Sequence, residues 1–136
     1  MTANEVLEKI KENKRRITPG RQRIVEAICE ASAPLAADTL IKKIGMNKTS
    51  IYREIAFLLR LKIIQEVDFG DRIKRYELRD LKHHHHLICL RCKNVQDISF
   101  TENLEWEEKR IKKLKKFQVV RHDLEFFGYC QKCISK

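Results

Sequence analysis

Residues 47–62 read NKTSIYREIAFLLRLK, and the spacing of their apolar side chains decides the fold. Ile51, Ile55, Leu58 and Leu59 fall on one face of a helix, with Asn47 or Thr49 available as its side-chain cap. Immediately upstream, AADTLIKKIGM (36–46) predicts a preceding helix that ends at Gly45, so two helices meet at a tight turn. Downstream, IIQEVDF and RIKRYEL flank a Gly70-Asp71 turn and predict a hairpin. Nearer the N-terminus, residues 4–13 predict a short polar helix. Thr18-Pro19 then caps a helix carrying Ile24, Val25, Ile28 and Cys29 at helical spacing. Cys29 reads as a core thiol on that stripe. Helices joined by a tight turn and followed by a hairpin are the order of a winged helix-turn-helix.

The second half reads differently. HHHHLIC (83–89) and NVQDIS (94–99) predict two short strands around a C-x-x-C knuckle. ENLEWEEKRIKKLKKF (102–117) predicts an amphipathic helix with Leu104, Ile111 and Leu114 inward, and QVVRHDLEFFGYC (118–130) a final strand. The expected fold class is therefore α+β. A winged-helix DNA-binding domain over residues 1–80 precedes a small α/β metal-binding domain with an antiparallel sheet over 81–136, with a polar hinge near Arg79 to Lys82.

Composition narrows the partners. The 136 residues are 43% hydrophobic and 35% charged, and the net charge of +10 indicates an anionic partner. No apolar run approaches the roughly 20 residues a spanning helix needs, so nucleic acid comes before membrane. Residues 1–80 hold 17 Lys+Arg against 12 Asp+Glu, a balance of +5, and residues 81–136 hold 12 against 7, also +5. Four thiolates on one zinc ion would lower the second value by 2, leaving the first half the more basic. The N-terminus MTANEVLEKIKENKRR has no secretory core, and five cysteines without one indicate metal or structural thiols in a reducing compartment. The cytoplasm is the expected location.

Cys89-x-x-Cys92 and Cys130-x-x-Cys133 offer four thiolates, the set a structural zinc takes, with no position left open for catalysis. A disulfide pair is the alternative. In a strand, side chains alternate, so His84 and His86 point one way and His83 and His85 the other. Glu77 and Asp97 are candidate partners of the first pair; Glu105 and His122 are candidate partners of the second. Imidazole with carboxylate and no thiolate suits Fe(II), Zn, Mn or Co.

These stretches together resemble the ferric uptake regulator family of metal-sensing, dimeric bacterial repressors. The resemblance rests on ITPGRQRIVEAI, TSIYREIAFLL with its hairpin, HHHHLICLRC and HDLEFFGYCQKC. It implies a winged helix and a dimerisation domain, with structural zinc on Cys89, Cys92, Cys130 and Cys133. It implies a regulatory divalent ion, Fe(II) ahead of Zn or Mn, on Glu77, His84, His86 and Asp97. An additional site would take His83, His85, Glu105 and His122, although the family often has Asp where His85 stands. Tyr52 and Arg53 match recognition-helix residues that touch DNA, and Arg16 matches a basic residue that reaches the minor groove. Lys48 and Ser50 join them as candidate DNA contacts. The family's regulatory site also takes a histidine from the segment before the third helix. Here that segment is ASAPLAAD, Pro34 occupies the matching place, and no histidine precedes residue 83.

The expected function is a non-enzymatic, metal-dependent repressor binding a double-stranded operator as a homodimer, with no membrane or small-molecule substrate. A zinc-uptake or peroxide-sensing member of the family is an alternative. From other classes come a metal-dependent hydrolase, since such ligands can activate water, and a metal-storage or scaffold protein.

Overall fold

A computed structural model of the chain describes residues 1–79 and 84–135. It divides into two compact units, Met1–Lys82 and His83–Lys136.

The first unit is built from four helices and a three-stranded sheet. α1 (Ala3–Glu12) opens with a capping box in which Thr2 and Glu5 satisfy each other's backbone N–H groups, and it buries Val6 and Ile10 one turn apart. α2 (Pro19–Glu30) starts at the expected proline, with the Thr18 hydroxyl accepting from the Arg21 N–H at 3.2 Å. After β1 (Leu35–Ala36), α3 (Ala37–Ile44) ends on Gly45, whose φ of +78° is left-handed and whose N–H returns to the Ile41 carbonyl. α4 (Lys48–Arg60) follows after a three-residue turn, capped by the Asn47 side chain accepting from the Ser50 N–H at 2.8 Å. Its inner face, Ile51, Ile55, Phe57 and Leu58, is buried. These side chains meet Val6, Ile10, Ile24, Val25 and Leu40 in one core. Each fully buried Ile or Leu contributes about 1.5–3 kcal/mol.

β2 (Ile64–Asp68) and β3 (Lys74–Leu78) form the hairpin, and β1 pairs on the far side of β3, giving the order β1-β3-β2. The two-residue β1 carries no readable alternation in sequence, and it exists because Leu35 and Ala36 pair with Tyr76 and Arg75. The hairpin tip is tied by Asp71, which accepts from the Ile73 N–H and from both terminal nitrogens of Arg75, the shorter at 2.9 Å. Burial raises the Asp71 carboxyl, but the Arg75 guanidinium and the Ile73 N–H outweigh it and hold the pKa below the ordinary value. Asp71→Asn should cost about 1–2 kcal/mol at neutral pH, read as a lower midpoint in urea. Because the folded pKa is lowered, this contribution is present above the ordinary carboxylate range. It fades as pH falls through the folded value, so mutant and wild type converge in acid.

The second unit holds a mixed sheet ordered β5-β4-β6, made of β4 (His85–Cys89), β5 (Val95–Ile98) and β6 (Glu125–Gly128). β4 and β5 pair antiparallel, as expected, whereas β6 joins β4 in parallel. Reaching a parallel register requires a crossover, here supplied by α5 (Glu105–Lys115). The expected final strand over 118–130 is thus extended and paired only at Glu125–Gly128.

The expectation for α5 itself requires correction. Leu104, Ile111 and Leu114 were the predicted inward face, yet no residue of the helix is buried. Ile111 is 40% and Leu114 64% exposed, with Trp106 at 66%. Three acids in the first turn and three lysines in the last complement the helix dipole, so its N- and C-terminal turns are stabilised electrostatically. The apolar stripe is real; Leu104 at its head is half-buried, while Ile111 and Leu114 stay exposed. Among the described residues no helix is long and apolar enough to cross a membrane.

Candidate metal centres and DNA-contact face

On α4 the same periodicity that buries Ile51, Ile55 and Leu58 leaves Lys48, Tyr52 and Arg53 exposed and Ser50 half-buried. Tyr52 is 44% exposed, with the Lys48 ammonium 5.9 Å from its ring centre. Arg16 is exposed in the loop before α2. Its backbone carbonyl accepts from the Arg21 guanidinium at 2.7 Å. Pro34 is buried just ahead of β1.

The four knuckle cysteines come together in the second unit. One sulfur from each of Cys89, Cys92, Cys130 and Cys133 lies within 4.8 Å of the others, and the Cys92 and Cys130 sulfurs are 3.7 Å apart. A tetrahedron with zinc–sulfur bonds of about 2.3 Å has edges of about 3.8 Å. The sequence achieves this because β4 ends on Cys89 and β6 ends beside Cys130, and the parallel pairing of Cys89 with Gly128 sets the knuckles face to face. Backbone N–H groups, that of Cys130 first and that of Cys92 next, bring Cys89 down to about 6. Burial raises Cys130, but hydrogen bonding by Cys133 overrides it and the net shift is downward. Burial first, then the adjacent thiols, push Cys133 up to about 12. Such a cluster cannot carry four negative charges by itself; a divalent cation removes the conflict. The four sulfurs fit a structural zinc.

The histidine run separates by alternation. The Nε2 atoms of His84 and His86 approach to 3.1 Å, and His86 Nε2 lies 3.7 Å from Asp97 Oδ1, across the β4–β5 register that places His86 opposite Asp97. Within the second unit these three form one imidazole–carboxylate set, with ligand atoms inside 4.8 Å of one another. That donor chemistry fits a regulatory divalent ion. Glu77, in the first unit, is buried on β3 and accepts from Gln65 Nε2 at 3.0 Å.

His85 leaves the strand on the opposite side and is 1% exposed, stacked 4.4 Å from the Phe100 ring. Its Nδ1 meets the Leu124 carbonyl at 3.2 Å and its Nε2 meets Glu102 at 3.2 Å. His122 is held between Glu102 at 2.8 Å and Glu108 at 2.9 Å, and the Glu108 contact, ahead of that from Glu102, raises its pKa. The carboxylates that meet this pair are therefore Glu102 and Glu108. Glu105 stands exposed at the start of α5, its own N–H capped by Asn103. Glu102 precedes the helix in irregular backbone, where helical spacing predicts nothing. His83 lies outside the described residues.

A winged helix whose α4 shows basic side chains to solvent, joined in sequence to a module bearing thiolate and imidazole metal sets, fits a metal-dependent transcription repressor. The chain belongs to the ferric uptake regulator family, whose model matches residues 12–127. It is 32% identical over 130 residues to the ferric uptake regulation protein of Bacillus subtilis (strain 168), covering 89% of this chain and 87% of that one. It is 29% identical over 137 residues to the peroxide operon regulator of the same organism, covering 97% and 93%. In fold it matches the Helicobacter pylori ferric uptake regulator with a TM-score of 0.79 at 24% identity, covering 98% of this chain and 95% of that chain. Regulators of this family are DNA-binding and dimeric.

Proposed function

We propose that the chain is a cytoplasmic, non-enzymatic repressor that binds a near-palindromic operator as a homodimer, each α4 entering a major groove. The single observation that carries this reading is the two-sided character of α4. Ile51, Ile55 and Leu58 are buried, while Lys48, Tyr52 and Arg53 on the same helix face solvent. A basic side chain here suits a phosphate or a guanine edge, and the Tyr52 ring suits a thymine methyl. Ser50 and Arg16 complete the contact set, Arg16 from the flanking loop. The dimer draws support from the second unit, where Phe126, Phe127, Tyr129, Trp106 and Leu114 are all more than 40% exposed. A 54-residue unit with so much uncovered apolar surface needs a partner to bury it.

Glu77, His84, His86 and Asp97 are the proposed regulatory ligands, Fe(II) ahead of Zn or Mn. The order in sequence supports this: Glu77 ends the wing strand and the histidines open the next unit, so ligation would restrain one against the other. An ion shifts the DNA-binding equilibrium only as far as it prefers one arrangement. His85 and His122, with Glu102 and Glu108 as the carboxylates at hand, form the additional proposed set. Residues of a hydrolase would need an open coordination position beside a substrate pocket, and the four-thiol set supplies none.

Tyr52→Ala and Arg53→Ala should each weaken binding to a specific duplex at least about tenfold, as one lost base contact predicts. Fluorescence anisotropy at several salt concentrations reads this. The wild-type log–log slope should be steep, about −0.9 per neutralised phosphate. Unchanged affinity in both variants would remove α4 from the DNA interface.

A further inference from the structure

Arg21 is largely buried in the first unit, and every nitrogen of its guanidinium is engaged. Nε donates to Glu54 Oε2 at 2.7 Å and one terminal nitrogen to Glu54 Oε1 at 3.2 Å, a bidentate pair. The other terminal nitrogen donates to the Arg16 carbonyl at 2.7 Å. The plane of the group lies over the Phe57 ring, 3.7 Å from its centre. Both charged side chains are largely buried, at 15% and 13% exposure, so neither is available to reach a phosphate.

Three segments therefore meet at one side chain. Arg21 sits in the first turn of α2, Glu54 sits on α4 next to Arg53, and Arg16 sits in the loop Lys14-Arg15-Arg16. That loop has no helix or strand of its own, and Lys14 within it takes a left-handed φ of +57°. A bidentate arginine fork fixes direction as well as distance, which a lysine in the same place would not.

We propose that the Arg21–Glu54 pair is a positioning pin that holds the Lys14-Arg15-Arg16 loop at a fixed station beside the recognition helix, so that loop and helix engage one duplex together. This rests on the reading of α4 as the DNA-contact helix. Neither Arg21 nor Glu54 touches DNA. Their role is to remove the ordering cost the loop would otherwise meet on binding, which is why the effect falls on specific affinity. DNA read by the pinned loop and α4 together is a duplex with a minor-groove contact at a set offset from the major-groove contact.

The test uses full-length, zinc-loaded protein with Mn(II) added. The probe is a labelled duplex selected from a random pool by wild type, with a mixed-sequence duplex as the non-specific reference. Glu54→Gln should weaken the selected duplex about tenfold or more and the mixed duplex far less. Its salt slope should flatten by about 0.9 for each phosphate the loop releases. Arg16→Ala should cost much less in the Glu54→Gln background than in wild type, because the contact it removes is already lost. Should Glu54→Gln fold poorly, the paired change Arg21→Met with Glu54→Leu separates the alternatives, since apolar replacements of a buried ion pair keep folds intact. A pin predicts a wild-type thermal midpoint with specific affinity still reduced. Full recovery of specific affinity in that double variant, or an Arg16→Ala cost that is the same in both backgrounds, would overturn the proposal. Failure of wild type itself to select any duplex would instead strike the DNA-binding reading.

Discussion

Cys130→Ser is expected to release the zinc and unfold the second unit while leaving the first intact. The reason lies in how little else holds that unit together. Its buried apolar side chains, among the described residues, are Ile88, Cys89 and Cys133, and two of these three are knuckle thiols. The core of the first unit, by contrast, gathers side chains from α1 through β3. Structural zinc in small domains contributes apparent energies of about 10–16 kcal/mol, far beyond what one buried isoleucine supplies. Metal analysis should find the variant depleted of zinc, and hydrogen exchange should show β4, β5 and β6 unprotected while α2 and α4 stay protected. A zinc-free variant with a protected sheet would show that the metal is not what holds the unit together. The same exchange experiment on wild type with a strong chelator should reproduce the pattern without any mutation.

The second large effect concerns the imidazoles. His84→Ala combined with His86→Ala should abolish the response of DNA affinity to added divalent metal, and should weaken binding of that exchangeable ion by at least about 100-fold. The geometry is the basis: His84 and His86 bring their Nε2 atoms within 3.1 Å, and among the described residues of the second unit Asp97 is the other member of the set. The carboxylates that remain, Asp97 and the proposed ligand Glu77, should hold a divalent ion far more weakly than the full set. Titration of zinc-loaded protein with Mn(II), followed by calorimetry, reads the loss directly. The four cysteines are untouched by this change, so the structural zinc should stay at wild-type stoichiometry. Between them, His85 offers an internal control. Being buried against Phe100 and Glu102, it should when replaced by alanine cost stability first, about 1–3 kcal/mol for the Leu124 carbonyl contact and ring packing it abandons.

How much of this was legible beforehand follows from the range of each signal. The α4 stripe, the Asn47 cap and the Gly45 stop are local, and each appears where spacing placed it. Alternation along residues 83–86 needs only a strand, and it correctly sends His84 and His86 one way and His85 the other. What failed depended on irregular backbone or on surfaces outside the chain. Glu102 meets His85 and His122 because the segment before α5 folds back, and no periodicity encodes that path. The stripe on α5 was read as inward because amphipathicity reports that a face will be covered, not by what. The parallel entry of β6 depends on where a crossover lands, and β1 exists only through its partner strand. Arg21 and Glu54 are 33 residues apart, so nothing short-range announces their pairing.

Metal-gated DNA binding is the centre of the account, and one titration bears on it most directly. A labelled duplex selected by the protein is titrated with zinc-loaded wild type and with the His84→Ala, His86→Ala variant, each with and without saturating Mn(II). The account predicts that the ion tightens wild-type binding by about 100-fold or more, the scale on which a ligand redistributes two states, and leaves the variant unmoved. Equal wild-type affinity with and without the ion would contradict it.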